Sequence, residues 1–286
     1  MEAGPVPWRY ARAQLPVLGS FVRLVASGWR RPGLRPEIPG RPLSRVVSPR
    51  APEHLRAYCE HVGAEHQEGE VPPHLFPHWC FPLTGRLVSD LPYRMLSAVN
   101  AGCDVRVRRP IPAGERIEVE GWLVSVDEGE RRILIKQRFL TSTSSAPGAL
   151  EADVTLLVPR RGPKGEGRPK APERVPDLAT VVGYIEANAR AGLDFAKLTG
   201  DFNPLHWSPR YARAFGFPNT ILHGFSTAAR AWAALEARSG RPLERFTCRF
   251  PRPVVLPASL GVFARGREVW VGEAPGDEAR LVGSFA

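Results

Sequence analysis

Asp201, Asn203 and His206 lie within one short segment, Thr199-Gly200-Asp201-Phe202-Asn203-Pro204-Leu205-His206, and their types suit proton transfer. Pro204 lacks an N–H and pushes Asn203 toward an extended backbone, and Gly200 adds a turn signal. The three polar side chains therefore belong to a loop, not to a solvated helix face. A carboxylate and an imidazole on one rigid loop can share a water molecule and exchange protons with it. Imidazole titrates near neutral pH, so modest changes of surroundings set its charge. Asn203 can orient the loop or the water. Taken singly, each residue is better explained by turn chemistry, in which Asp and Asn bond the local backbone. The constellation is what points to catalysis.

A second element, Leu222-His223-Gly224-Phe225, opens a strongly apolar stretch with helical spacing. A helix N-terminus presents free N–H groups and partial positive charge, and glycine there lets a ligand approach the backbone. Such a place suits an oxygen that gains negative charge, such as a thioester carbonyl becoming an enolate. An acid–base pair beside an oxyanion donor is what hydration of an α,β-unsaturated thioester needs. His223 itself reads as a core histidine with a satisfied hydrogen bond, and Gly224 taken alone reads as close packing of helix on sheet.

The run Thr199 to His206, followed by Ile221-Leu222-His223-Gly224, resembles the hydratase motif of MaoC-like proteins, the R-specific enoyl-CoA hydratases and 3-hydroxyacyl-thioester dehydratases. The resemblance covers about 35 residues. It implies an α+β hot-dog fold, with an antiparallel sheet curled round a central helix in each half of a double hot-dog. It implies Asp201 and His206 as the catalytic pair with Asn203 in support, and Gly224 and Phe225 at the oxyanion and substrate site. The reaction implied is syn addition of water giving the (R)-3-hydroxyacyl thioester, or its reverse. No metal or redox cofactor is implied; coenzyme A or an acyl carrier protein would enter as part of the substrate. The N-terminal half departs from the pattern, because His78 is followed by Trp79 and no Asp-x-Asn-Pro-x-His precedes it. It resembles the degenerate half of two-domain members, which helps form a wider acyl tunnel. Pro77, Pro82 and Pro92 are expected to shorten or break its central helix, leaving room for medium or long chains.

Several elements must hold these residues in place. Gly224 to Arg238 is dense in helix formers, with Leu222, Phe225, Ala229, Trp232 and Leu235 on one stripe, and Gly240 and Pro242 stop it. Glu236 is expected to face outward. Ser208 and Pro209 begin a short helix that ends at Gly216. Alternating apolar residues predict strands over 116–126, 132–140, 153–158, 180–185, 244–250, 260–265, 268–272 and 279–285. Pro112-Ala113 recurs as Pro257-Ala258, and His78 recurs as His223, both 145 positions on. A repeat at half the chain length suggests a duplicated domain. The Pro-, Gly- and Lys-rich stretch 160–172 reads as a linker between a degenerate hot-dog domain, 46–159, and a catalytic one, 173–286. Residues 1–45 read as an N-terminal extension, helical or partly ordered.

Composition narrows the rest. The 286 residues are 43% hydrophobic and 24% charged, as for a globular protein with a full core. The net charge of +10 attracts anions, but no zinc finger, RNA-binding strand motif or basic-region helix supports nucleic-acid binding. Phosphates of coenzyme A or an acidic carrier protein would also use a basic rim. Arg106, Arg108 and Arg109 read as a solvated strand edge, with contact to such phosphates as the alternative. Cys59, Cys80, Cys103 and Cys248 are scattered and read as reduced thiols of a cytoplasmic protein. Cys59, His61, His66, His74, His78 and Cys80 match no zinc spacing, and the prolines among them suggest an irregular loop. No integral membrane span is present; Leu15 to Trp29 is interrupted by Arg23. The Arg-rich N-terminus leaves a mitochondrial address or peripheral membrane attachment as the alternative. A homodimer is compatible with this reading. The competing functions are a non-catalytic acyl-thioester-binding or assembly subunit and an acyl-CoA thioesterase.

Overall fold

A computed structural model describes residues 4–12, 14, 36–93, 95–160 and 171–286. The apolar segment Leu15 to Trp29 and most of the expected linker lie outside the described residues. The strands are β1 (Leu43–Val47), β2 (Val99–Val107), β3 (Ile117–Glu128), β4 (Arg132–Ser142), β5 (Leu150–Pro159), β6 (Thr180–Ala187), β7 (Arg245–Arg249), β8 (Ala258–Arg265), β9 (Glu268–Gly272) and β10 (Leu281–Phe285). The helices are α1 (Arg9–Arg12), α2 (Pro52–Val62), α3 (Pro77–Val88), α4 (Ala191–Thr199), α5 (Pro209–Ala214) and α6 (Gly224–Ser239).

Alternation explains the strands. Ile117, Val119 and Leu123 on β3, and Ile133, Ile135 and Phe139 on β4, point to one face and are buried. Strands β1 and β2 were not foreseen from the sequence. β1 is short and lies at the edge of the sheet, paired only with β3. β2 carries two glycine-flanked small residues and a bulge between Asn100 and Gly102, which blur its period.

All ten strands form one antiparallel sheet in the order β1-β3-β4-β5-β2-β7-β10-β9-β8-β6. The order has the same form from either end, five strands of the N-terminal half meeting five of the C-terminal half. The halves join where β2 pairs with β7, and there Cys103 faces Cys248. Their Sγ atoms are 3.6 Å apart and both thiols are free.

Each half lays its sheet over one helix, giving the α+β double hot-dog architecture. Helix α6 packs on β6 and α3 on β3 and β1. Phe225, Ala229, Trp232 and Leu235 are buried as their spacing requires, and Ser226, Thr227, Ala228 and Ala231 are buried too, so α6 is enclosed on most sides. One hydrophobic core takes Trp79 and Phe139 from the first half and Phe195, Trp232 and Phe246 from the second.

Helix α3 is not broken by its prolines. Pro77 occupies the first turn, where no N–H is needed, and the helix runs through Pro82 for 12 residues against 16 in α6. Pro92 lies beyond its end. The expected irregular loop between Cys59 and Cys80 is likewise confined to its middle, because α2 reaches Val62 and α3 starts at Pro77.

Candidate active site

The motif loop begins where α4 stops. Gly200 takes the left-handed conformation, with φ 89°, and its N–H donates to the Ala196 carbonyl at 2.8 Å. Asn203 then caps a 3-10 turn over Pro204–His206, its Oδ1 accepting the Leu205 N–H at 3.2 Å. Asp201 Oδ1 accepts the Asn203 N–H at 3.4 Å. Asn203 is thus committed to loop shape. Ser208 Oγ accepts the Tyr211 N–H, so α5 starts at its cap as expected. Helix α4 lies directly on the loop: a Cβ on Gly192 would fall 2.0 Å from the His206 carbonyl oxygen.

His206 Nδ1 lies 2.8 Å from the Ile221 carbonyl oxygen. An oxygen there can only accept, so Nδ1 carries the proton and Nε2 keeps a lone pair for chemistry. His223 Nε2 donates to the Asp201 main-chain oxygen at 2.9 Å and stands 3.8 Å from its Oδ2. The two imidazoles stack, with ring centroids 3.5 Å apart and planes at 24°. His223 therefore does more than fill the core. It ties the first turn of the buried helix to the acid of the loop.

Burial shifts all three groups. It raises the Asp201 pKa, against the opposing pull of His206 and the Asn203 N–H. It lowers that of His206, partly offset by Asp201 and the Ile221 carbonyl. It holds His223 well below the ordinary histidine value, with the His206 charge adding to the effect. Paired acid and base with opposed shifts are a mark of proton-transfer sites.

Asp201, His206 and His223 open onto a cavity of about 370 Å³. The Asp201 side chain keeps 28% of its surface exposed toward it. Gly224 begins α6, so its N–H has no acceptor within the helix. A Cβ at Gly224 would press on the Phe250 ring at 2.8 Å. Phe225 is a wall residue, edge-on to Phe76 at 5.3 Å and close to Phe81 at 5.7 Å. The far wall comes from the N-terminal half: Phe81, Thr84, Gly85 and Val88 present one stripe of α3, with Met95 and Leu156 beside them. Arg252 and Arg280 stand at the same cavity.

Asp201, His206 and His223 are, among the described residues, the one group of three or more metal-type donors brought within reach of each other. Their ligand atoms lie within 4.8 Å of one another, and His206 Nδ1 and His223 Nε2 are each committed to a main-chain carbonyl. The cysteines and histidines between 59 and 80 do not converge.

Residues 171–275 match the family model described as MaoC like domain. The C-terminal half of the chain is a MaoC-like domain. Over 242 residues the chain is 29% identical to 3-hydroxyacyl-thioester dehydratase X of Mycobacterium tuberculosis, covering 82% of this chain and 84% of that protein. The crystal structure of HtdX from the same organism superposes with a TM-score of 0.70 at 24% identity, over 86% of this chain and 99% of that one. A second Mycobacterium tuberculosis structure, described as a double hotdog fold, gives 0.59 at 12% identity, over 87% and 96%. The MaoC-like half thus carries the motif loop, and the other half supplies the far cavity wall.

Two readings change with the structure in view, those of Glu236 and His223. Glu236 does not face outward: it accepts from Trp232 Nε1 at 2.7 Å and the Leu243 N–H at 2.9 Å, and burial raises its pKa. It ties the end of α6 to the next strand and does not line the cavity. Arg106 and Arg108 pair with Glu151 at 3.4 and 3.1 Å, away from the cavity. His223 was legible only as a core residue, although its repeat of His78 was a signal that the position matters.

Proposed function

We propose that this chain hydrates trans-2-enoyl thioesters to (R)-3-hydroxyacyl thioesters, and runs the reverse dehydration, through Asp201 and His206. The observation that carries the proposal is that the Asp201 carboxylate and the free Nε2 of His206 face one cavity that ends at the Gly224 N–H. A water between the two side chains loses a proton to the pair as its oxygen bonds to C3 of the substrate. Charge gathers on the thioester oxygen, where the Gly224 N–H and the helix N-terminus stabilise it. C2 then takes a proton back from the pair. Asn203 and His223 hold the loop and do not exchange protons.

The names of the dehydratase X of Mycobacterium tuberculosis and of an enoyl-CoA hydratase of that organism, 30% identical over 146 residues, support this reaction class. The hand of the product rests on that likeness. The apolar wall from α3 supports acyl chains longer than four carbons; Arg252 and Arg280 at the cavity are paired with Glu278 and Glu273, each at 3.2 Å. A thioesterase using a second carboxylate, apart from Asp201, finds no candidate in Glu236, which is engaged by Trp232 Nε1 and the Leu243 N–H.

The test is hydration of enoyl-CoA and enoyl-carrier substrates of graded length, followed by chiral analysis of the product. The expected result is loss of the enoyl absorbance and an R product. No turnover with any substrate, in wild type and in Asp201→Asn alike, would favour a binding subunit. Release of free thiol would favour a thioesterase.

A further inference from the structure

The degenerate half lacks the motif loop, yet its side chains reach across to the other half's loop. Helix α4 ends with carbonyl groups that have no partner inside the helix. Three of them are taken by residues of the N-terminal half. Gln14 Nε2 donates to Lys197 and Leu198 at 3.3 and 2.9 Å, His54 Nε2 to Leu198 at 2.8 Å, and His78 Nδ1 to Thr199 at 3.0 Å. Asp201 follows Thr199 by two residues, and its own carbonyl is held by His223 from the other side. His78 and His223 are the repeat-related pair. The same position of the two halves therefore grips the loop from opposite ends.

His78 is built for one role. It is 2% exposed and does not line the cavity. Arg50 Nε donates to its Nε2 at 2.6 Å. With Nε2 an acceptor, Nδ1 must carry the proton, so the ring donates to Thr199 and cannot switch tautomer without losing Arg50. Burial among Arg50, His54 and Arg45 lowers its pKa to about 3, which keeps the ring neutral. His206 shows the same economy: one ring nitrogen on a carbonyl fixes the state of the other.

We infer that His78, set by Arg50, is a positioning residue that holds the Thr199 carbonyl and so the placement of Asp201 opposite His206. The inference rests on Asp201 being the acid–base residue proposed above. It gives the degenerate half a second role besides walling the cavity: it holds its partner's loop in register. Small displacements of a reacting group cost rate far more than they cost binding.

The experiment compares wild type, His78→Leu, His78→Asn and Arg50→Met in enoyl-CoA hydration. Deuterium uptake at the amides of Asp201, Phe202 and Asn203 is followed in parallel. His78→Leu keeps the volume and removes the donor; kcat is expected to fall about tenfold or more with KM nearly unchanged. His78→Asn keeps a donor at the Nδ1 position and is expected to recover most of that loss. Arg50→Met removes the second hold on the ring, at Nε2, and is expected to lower kcat by a smaller factor. Loop amides should exchange faster in His78→Leu while protection of the β3–β4 hairpin stays unchanged. Wild-type kcat in His78→Leu, or equal losses in the Leu and Asn variants, overturns the inference. Should His78→Leu not fold, Arg50→Met decides by the same readings, and an unchanged kcat and unchanged exchange there overturn it. If wild type hydrates nothing, the proposed reaction fails, and loop exchange in His78→Leu still decides the brace.

Discussion

His206 and His223 lie face to face, 3.5 Å between ring centroids, with Asp201 bonded to one and facing the other. Burial holds both rings below the ordinary histidine value, and the charge His206 would carry adds to the effect on His223. The proposed chemistry needs His206 neutral and Asp201 ionised. Burial moves His206 below the ordinary histidine value and Asp201 above the ordinary carboxylate value, which opposes a second charge in the pair. The rate should be flat from neutral pH into mild acid and fall on further acidification as the pair gains a proton. A pH profile of kcat/KM checks this; an acid limb at or above 6.5 would contradict it.

Buried neutral histidines also set the acid stability. Burial lowers His61, His74 and His78 to about 3 from the ordinary histidine value of 6.5. Below 6.5 the unfolded chain binds protons that the folded chain refuses, so stability is full above 6.5 and is lost as pH falls toward 3. Each such residue contributes a slope of about 1.4 kcal/mol per pH unit in that range. Denaturant midpoints measured from pH 7 to pH 4 should fall steadily. A flat series would mean that these rings become charged in the native state.

Gly224 serves two needs that one substitution separates. Gly224→Ala would set a Cβ 2.8 Å from the Phe250 ring and crowd the approach to the first N–H of α6. We expect a loss of stability together with a drop in kcat of about 100-fold. Adding Phe250→Leu should relieve the crowding and restore the melting temperature, while the rate stays low. Recovery of the rate by Phe250→Leu would assign Gly224 to packing alone.

The α3 stripe makes a statement about chain length. Gly85 faces the cavity with Phe81, Thr84 and Val88. Gly85→Leu should leave four-carbon enoyl-CoA almost untouched and lower kcat/KM for twelve- to sixteen-carbon substrates by about tenfold or more. Equal effects at every length would place the acyl chain elsewhere.

Much of this was legible in the chain because the signals are local. Alternation exposed β3 and β4, and the stripe through Trp232 exposed α6. The offset of 145 that relates His78 to His223 also relates Cys103 to Cys248, and in the fold those two cysteines meet at the junction of the halves. Four scattered cysteines concealed that meeting, because spacing along a chain carries no register between strands. The same limit hid His78 on Thr199, a contact across 121 positions. Helix α3 is shorter than α6 as expected but is not broken: Pro82 costs one hydrogen bond, and packing of Trp79 and Leu83 in the core outweighs it. Glu236 was misjudged because a carboxylate near a helix end ordinarily faces water, whereas here a tryptophan N–H and a backbone N–H satisfy it.

The proposal that Asp201 and His206 act on one water is tested most directly by a double-mutant cycle. Asp201→Asn, His206→Gln and the double variant are compared with wild type in enoyl-CoA hydration. Groups that act as one unit lose nearly everything when either is removed, so each single variant should fall by about 1,000-fold and the double variant by little more. Losses that multiply in the double variant, or a single variant with most of the wild-type rate, would contradict the account.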